Sequence, residues 1–504
     1  MIPSAKWLEI SNDLIKIPRE KRYVRSDEPI MGAKCVVKGD MTGTLKWTRE
    51  NSRYELVVDL PSWGGQYSYS VLGRKEKHRI LYKEGTFEIE PDCKAYIADW
   101  PRDSVLAVAV SIDDMISLDQ DTPVGYGGQG YGWGPDSIDW AQLRAFHDAY
   151  PEVKISRGII PVSWMPAYYD YDVPGTLDDP RTFNEGNTAL KYAPDPYKEW
   201  VRYHQTASWL SLEAHGLHHH WKFSKGSAHE WDQANPDANN YTYCLDAVER
   251  IRSEFAEVGL DNSEILVFNP PGYDETPALR QAVLDAGFIL MLEARPTIYC
   301  KDLVVTARNT HPFESPDTPG LIKAIRLVNI GGDYCPPPEI YRVIDQVADH
   351  RGLFIMIAHS EHHGHSAKNE NYEYLHDIFD YIRRNYSAQG KPVWYAFTSE
   401  IGKYYTNRKN TRLRYKHDSV NCVLKAKLVP WPGLRNNSRE FYDDVGLTIY
   451  FKKPRLLTGI KQARVSHGKG DWKDLTNTVL LRGNKIIVPR LMHGANVEIW
   501  YDRG

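Results

Sequence analysis

Short apolar runs alternate with helix-spaced segments from about residue 101 to about residue 408, and this grammar constrains the fold more than any other feature. Val105-Leu106-Ala107-Val108-Ala109-Val110 is continuously apolar, as a parallel strand buried on both faces must be. Residues 138–149 read as a helix and Ile155 to Val162 as the next strand. Leu245, Val248, Ile251, Phe255 and Val258 form an apolar helical stripe that Gly259 ends. Ile265 to Phe268 follows as a strand. Thr276-Pro277 then supplies an N-cap and a first-turn proline, and Gly287 closes that helix. Strands at Phe288 to Leu292, Leu353 to Ile357 and Val393 to Phe397 alternate with helical spacing at Ile340–Val347 and Leu375–Ile382. Such repetition predicts a parallel sheet or a (β/α) barrel.

The flanks obey a different rule. Tyr54 to Leu60, Gln66 to Leu72 and Thr86 to Glu90 alternate with period two around the turn cluster Pro61-Ser62-Trp63-Gly64-Gly65. Cys422 to Val429, Gly446 to Phe451 and Lys485 to Pro489 read as strands near the other end. The expected organisation is multidomain α/β plus β: a central (β/α) barrel-like domain over 101–408, with β-sandwich-like modules at 1–100 and 409–504. A length of 504 residues agrees with about three domains.

Composition excludes some classes of function. The net charge is −4 with no long basic run, which argues against nucleic acid as a partner. No apolar run reaches the roughly 18 residues of a membrane helix. The beginning, Met1 to Trp7, is not a signal peptide. Two expectations for location follow: cytoplasmic, or secreted or periplasmic if a leader has been removed. The six cysteines contain no CxxC pair, so neither a zinc ribbon nor a dense disulfide framework is expected, although Cys35 and Cys93 are near enough in sequence to bridge. Aromatic residues make up 12% of the chain, with 32 Tyr and 15 Trp, a supply of flat rings that suits either sugar stacking or large β domains.

Chemistry concentrates in Glu213-Ala214-His215-Gly216-Leu217-His218-His219-His220. His215 and His219 are four apart, and on a helix that spacing places both imidazoles on one face, within reach of one metal ion. A third ligand is sought where a strand ends. Asp113-Asp114 follows the first apolar run, so Asp114 can bind metal while Asp113 accepts a proton. His359 directly follows Leu353–Ala358, and Asn269-Pro270-Pro271-Gly272-Tyr273 forms a rigid turn after another strand, able to present a backbone N–H. Two insertions, Gly125–Gly134 and Met165–Pro196, are expected to wall the pocket.

Asp113-Asp114, His215-x-x-x-His219, Asn269-Pro270-Pro271-Gly272-Tyr273 and Ile355-x-Ile357-x-His359, in that order, resemble the motifs of the NodB-like polysaccharide deacetylases, carbohydrate esterase family four. The resemblance covers about 104–405 and implies a NodB-type barrel that removes acetyl groups from a glycan. It implies Asp114, His215 and His219 as the ligands of a divalent metal, Zn2+ first and Co, Ni or Mn as alternatives. It also implies Asp113 as the general base, His359 as the general acid and the Gly272 N–H as the oxyanion donor. The implied partner is an acetylated polysaccharide or oligosaccharide.

The chain departs from the family pattern in places. Asn269 stands where the family has the arginine that pairs with the catalytic aspartate, and Arg295 is one candidate substitute. Ser111-Ile112 replaces Thr-Phe, and Met115 replaces Gly. His218, His220, His229, His362, His363 and His365 have no family role. Two other readings stay open: another metal-dependent amide or ester hydrolase on the same scaffold, or a glycan-binding protein without catalysis.

Overall fold

In a computed structural model of the chain, the described residues are 95–116, 138–162, 190–193, 195–217, 230–231, 236–294, 300, 303–330, 335–359 and 370–417. The flanks add strands and turns within 9–10, 22–26, 34–38, 41–42, 47–50, 53–58, 64–75, 78–89, 422–428, 446–451, 457–467, 472–483, 485–488 and 495–503. Both expected pocket insertions lie outside these residues, apart from 190–193 and 195–196. The chain divides into two compact units, one over Asp99–Lys409 and one joining Met1–Ala98 to segments after Asn410.

The Asp99–Lys409 unit alternates strand and helix. Its elements are β1 (Leu106–Ile116), α1 (Ile138–Ala149), β2 (Ile155–Ile160), α2 (Asp195–Thr206), β3 (Leu210–Ala214) and α3 (Tyr241–Glu257). There follow β4 (Val267–Phe268), α4 (Pro277–Asp285), β5 (Leu290–Ala294), β6 (Phe313–Glu314), β7 (Ile322–Arg326) and β8 (Val328–Asn329). The unit ends with α5 (Pro337–Asp349), β9 (Leu353–His359), α6 (Glu370–Asn385), β10 (Val393–Tyr395) and α7 (Thr398–Asn410). The sheet order is β6-β7-β5-β4-β3-β2-β1-β9-β8, with β10 also on β1. Every pairing is parallel except β6 with β7. The sheet curls back on itself: β7 pairs with β5, while just beyond it Leu327 N–H donates to Ile355 O (2.9 Å) and Ile330 N–H to Ile357 O (2.8 Å). A barrel-like core of mostly parallel strands carrying helices results.

The outer face of this sheet is apolar. Leu106, Val108, Val110 and Ile112 of β1 join Leu210, Leu212 and Ala214 of β3 and Phe354, Met356 and Ala358 of β9 in one buried cluster with the helices. Every second residue therefore turns to the other face, the barrel interior. Strand β1 does not stop before Asp113, as expected, but runs through Ile116 with a bulge. Ile112 pairs with Arg157 and Met115 with Ile159, so two residues oppose the single Gly158. The bulge shifts the alternation, and Met115, three residues after Ile112, rejoins the apolar cluster.

Local chemistry explains the helix ends. The Thr276 hydroxyl accepts from Leu279 N at 3.1 Å with Pro277 in the first turn, as the sequence predicts, and Asn240 caps α3 in the same way. One expectation fails here. His215 is not on a helix: Leu210–Ala214 is a strand, and His215 N–H still donates to Ile159 O (2.9 Å). Gly216 then takes φ +72, a left-handed conformation that an α-helix cannot continue through.

The flanking regions are not separate modules at 1–100 and 409–504. Gly64–Lys75 pairs with Thr411–His417, and that sheet continues through Cys422–Leu428 to Ala495–Arg503. A second sheet pairs Ala95–Ile97 with Leu447–Phe451. Strands from both ends of the chain thus complete each other.

Candidate active site

Residues at the ends of β1, β3 and β4 meet at the C-terminal edge of the barrel strands, where such folds build their sites. Asp113 lies at the bulge of β1 and is only 1% exposed. Its Oδ1 accepts from Asn269 Nδ2 at 2.6 Å and stands 3.3 Å from Ser111 Oγ, and its Oδ2 accepts from Arg326 Nη1 at 2.6 Å. The guanidinium and carboxylate form a buried ion pair. The base candidate is therefore fixed by two strong charge-assisted contacts.

Asn269 joins this carboxylate to His215. Its N–H donates to Ala214 O (2.8 Å), extending the β3–β4 pairing by one residue. Its carbonyl receives the His215 Nδ1 contact at 2.8 Å, while its side-chain amide holds Asp113. A carbonyl can only accept, so Nδ1 carries a hydrogen, and in the neutral ring the lone pair lies on Nε2. That is the tautomer of an imidazole that binds a metal through Nε2 with its other nitrogen held by a carbonyl. His215 thus fits the role of a ligand. His215 is buried against Gly158, where an added Cβ would stand 3.1 Å from the His215 Cβ.

The turn after His215 is pinned on two sides. Leu217 N–H donates to Glu230 Oε2 at 2.8 Å, and Leu217 O accepts from Val162 N–H at 3.1 Å. A Cβ on Gly216 would fall 2.6 Å from Pro271 Cγ. The His215 turn therefore packs against the short 3-10 turn Pro271–Tyr273 that contains Gly272. On the neighbouring strand, Asp113 is in register with His359, the last residue of β9.

The structure brings together Asp113, His215, Asn269, the Gly272 turn and the backbone of His359. The side chains of Asp114 and His359 are outside what is described, and His219, the six other histidines and Arg295 lie outside the described residues altogether. Among the described residues no group of three or more His, Cys, Asp or Glu is set to hold a metal.

Sequence reasoning missed Arg326, which supplies from β7 the cation that Asn269 lacks. It also missed Glu213. This carboxylate is fully buried, with Oε1 hydrogen-bonded by Thr398 Oγ1 and Oε2 by Ser111 Oγ at 2.9 Å. Burial, with the negative charge of Asp113 adding to it, raises its pKa to about 7 against the lowering effect of the Thr398 and Ser111 hydroxyls and of Arg326. A signal was present: Leu210-Ser211-Leu212-Glu213-Ala214 alternates apolar and polar, as a strand with a polar inner face would.

No protein-family profile matches the chain. No curated protein sequence matches it either. Among solved structures, the chain is similar to a Mycobacterium smegmatis protein provisionally assigned as a polysaccharide deacetylase, at 14% identity and a TM-score of 0.39, over 62% of this chain and 94% of that one. It is similar to a Parabacteroides distasonis protein provisionally assigned as a glycoside hydrolase/deacetylase, at 10% identity and a TM-score of 0.33, over 73% of this chain and 84% of the other. A Bordetella bronchiseptica protein provisionally assigned as a polysaccharide deacetylase of O-antigen biosynthesis is similar at 5% identity and a TM-score of 0.27, over 55% and 89% of the two chains.

Proposed function

We propose that the chain is a divalent-metal-dependent hydrolase that removes acetyl groups from a carbohydrate. The observation that carries this reading is the single residue Asn269, which holds a buried carboxylate with its side chain and a metal-competent imidazole with its carbonyl. A proton acceptor and a metal ligand fixed to one another are the minimum needed to activate water.

In this reading Asp114, His215 and His219 hold the metal, with Zn2+ the first candidate. A bound metal supplies Lewis acidity, which polarises the acetyl carbonyl and makes water a stronger acid. Asp113 takes the proton from the attacking water. Its carboxylate is steadied by Arg326 and Asn269, so it need not reorient during the reaction. The Gly272 N–H, on a turn packed against the His215 turn, faces the oxygen that gains charge. His359, in register with Asp113 on the neighbouring strand, gives a proton to the departing amine or alcohol.

The test is acetate release from a panel of N- and O-acetylated oligosaccharides, with metal content measured on the same samples. The reading expects His215→Ala to lose metal and most of the rate. Equal acetate release by wild type and His215→Ala would overturn it, as would phosphate release from phosphoesters in place of acetate.

A further inference from the structure

Beneath Asp113 the barrel interior is polar where branched aliphatic side chains are the usual filling. Ser111, Ser156 and Ser211 stand in register across β1, β2 and β3. Ser211 Oγ donates to Ser156 Oγ at 2.9 Å, and Thr398, at the start of α7, bonds Ser156 Oγ through both its N–H (3.2 Å) and its hydroxyl (3.0 Å). Glu213 sits over this row, two residues beyond Ser211 and therefore on the same face. It takes one hydrogen bond from Thr398 and one from Ser111. Ser111 in turn reaches Asp113 Oδ1. Ser111, Asp113, Ser156, Glu213 and Thr398 are each no more than 1% exposed.

We propose that Glu213 is a positioning residue for Asp113, acting through the hydroxyl of Ser111. The inference rests on the reading of Asp113 as the base. A serine hydroxyl has one hydrogen and rotates freely unless something fixes it. Glu213 Oε2, at 2.9 Å, is nearer to Ser111 Oγ than Asp113 Oδ1 is, at 3.3 Å. Glu213 thus sets the rotation of the hydroxyl that abuts the inner side of the Asp113 carboxylate. Arg326 and Asn269 anchor that carboxylate from other strands, and Ser111 closes the side facing into the barrel. Glu213 is tied through Thr398 to α7 and, through the Thr398–Ser156 contact, to β2, so β2, β3 and α7 add to the anchorage from Arg326 and Asn269. A buried carboxylate is a costly way to fill a barrel. No aliphatic side chain could hold two hydroxyls at once.

The experiment is a double-mutant cycle in acetate release with Glu213→Gln, Ser111→Ala and the pair, with Asp113→Asn and Ser111→Thr alongside. Misplacement of a reacting group by about 1 Å can cost about 100-fold. Each single variant is expected to lower kcat about 10- to 100-fold with KM and metal content little changed. The pair is expected to fall no further than the worse single variant, and Ser111→Thr to recover most of the rate. Multiplying effects, a change confined to KM, or unchanged kcat in Glu213→Gln would overturn the proposal while leaving Asp113 as the base. A full rate in Asp113→Asn would instead overturn the functional reading. A crystal structure of Glu213→Ala provides a check independent of turnover: the Asp113 carboxylate should turn from the Asn269 amide, and an unmoved carboxylate refutes the link.

Discussion

Arg326 Nη1 lies 2.6 Å from Asp113 Oδ2 across 213 residues of sequence, with the two side chains 0% and 1% exposed. A pair this buried is balanced between desolvation and attraction, so removing one partner is far worse than removing both. Arg326→Met should destabilise the Asp99–Lys409 unit by about 3–5 kcal/mol, because it takes the guanidinium away from a buried carboxylate. Asp113→Asn in the same chain should restore much of that loss. Chemical unfolding of the two single variants and the pair checks both statements, and additive losses would contradict them.

Glu213 gives stability a pH dependence of definite sign. Its folded pKa of about 7 lies above the ordinary 4.5, so between these values the folded state holds a proton that the unfolded chain releases. Stability from this group is therefore present at low pH, declines as pH rises from about 4.5 to about 7, and is level above that. The span is up to about 3 kcal/mol at 1.36 kcal/mol per pKa unit. Glu213→Gln should gain on the wild type as pH rises from 5 to 8, measured by unfolding midpoints. A parallel pH dependence in both proteins would contradict it.

The barrel was legible in the sequence because parallel strands buried on both faces are continuous apolar runs, and Leu106–Val110 and Leu353–Ala358 are plain examples. The helix starting at Pro277 was legible because its cap and proline are local signals. Strand β3 was not, because the i, i+4 spacing of two histidines imitates a helix while the true signal is the period-two pattern of the residues before them. Arg326 could not have been found by pattern. Nothing near Ile322–Arg326 records that the partner of its guanidinium lies on the opposite side of the closing sheet. Position in the strand order decides that contact, and only the fold supplies it.

Of the one bridge weighed from the sequence, Cys35–Cys93, Cys93 lies outside the described residues. The structure instead joins Cys300 to Cys335, with Cα atoms 5.2 Å apart and a sequence separation of 35. The enclosed loop contains β7 and thus Arg326. Cross-linking a loop of this size lowers the entropy of the unfolded chain enough to contribute about 3–4 kcal/mol. Reductant should lower the unfolding midpoint of the wild type and leave that of a Cys300→Ser, Cys335→Ser variant unchanged. Sensitivity to reductant in both would place the effect elsewhere.

Gly216→Ala tests the turn that aims His215. The residue sits at φ +72, where an L side chain costs about 1–2 kcal/mol in backbone strain. The new methyl would also lie 2.6 Å from Pro271 Cγ and 2.8 Å from Glu230 Oε2. Neither neighbour can withdraw easily. Pro271 belongs to the rigid Gly272 turn, and Glu230 is buried with its Oε2 bonded to Leu217 N–H. The turn itself must therefore shift, carrying His215 off the Asn269 carbonyl. The expected outcome is a loss of more than about 2 kcal/mol in stability together with weaker metal binding, because strain and clash add and the imidazole loses its orienting contact. Calorimetric zinc titration beside thermal unfolding separates the two losses. Gly287→Ala is the control, since Gly287 has φ +87 with nothing within 4 Å of a new Cβ. It should show the backbone strain alone and bind zinc as the wild type does. Equal zinc affinity in all three proteins would show that the turn can move without disturbing His215.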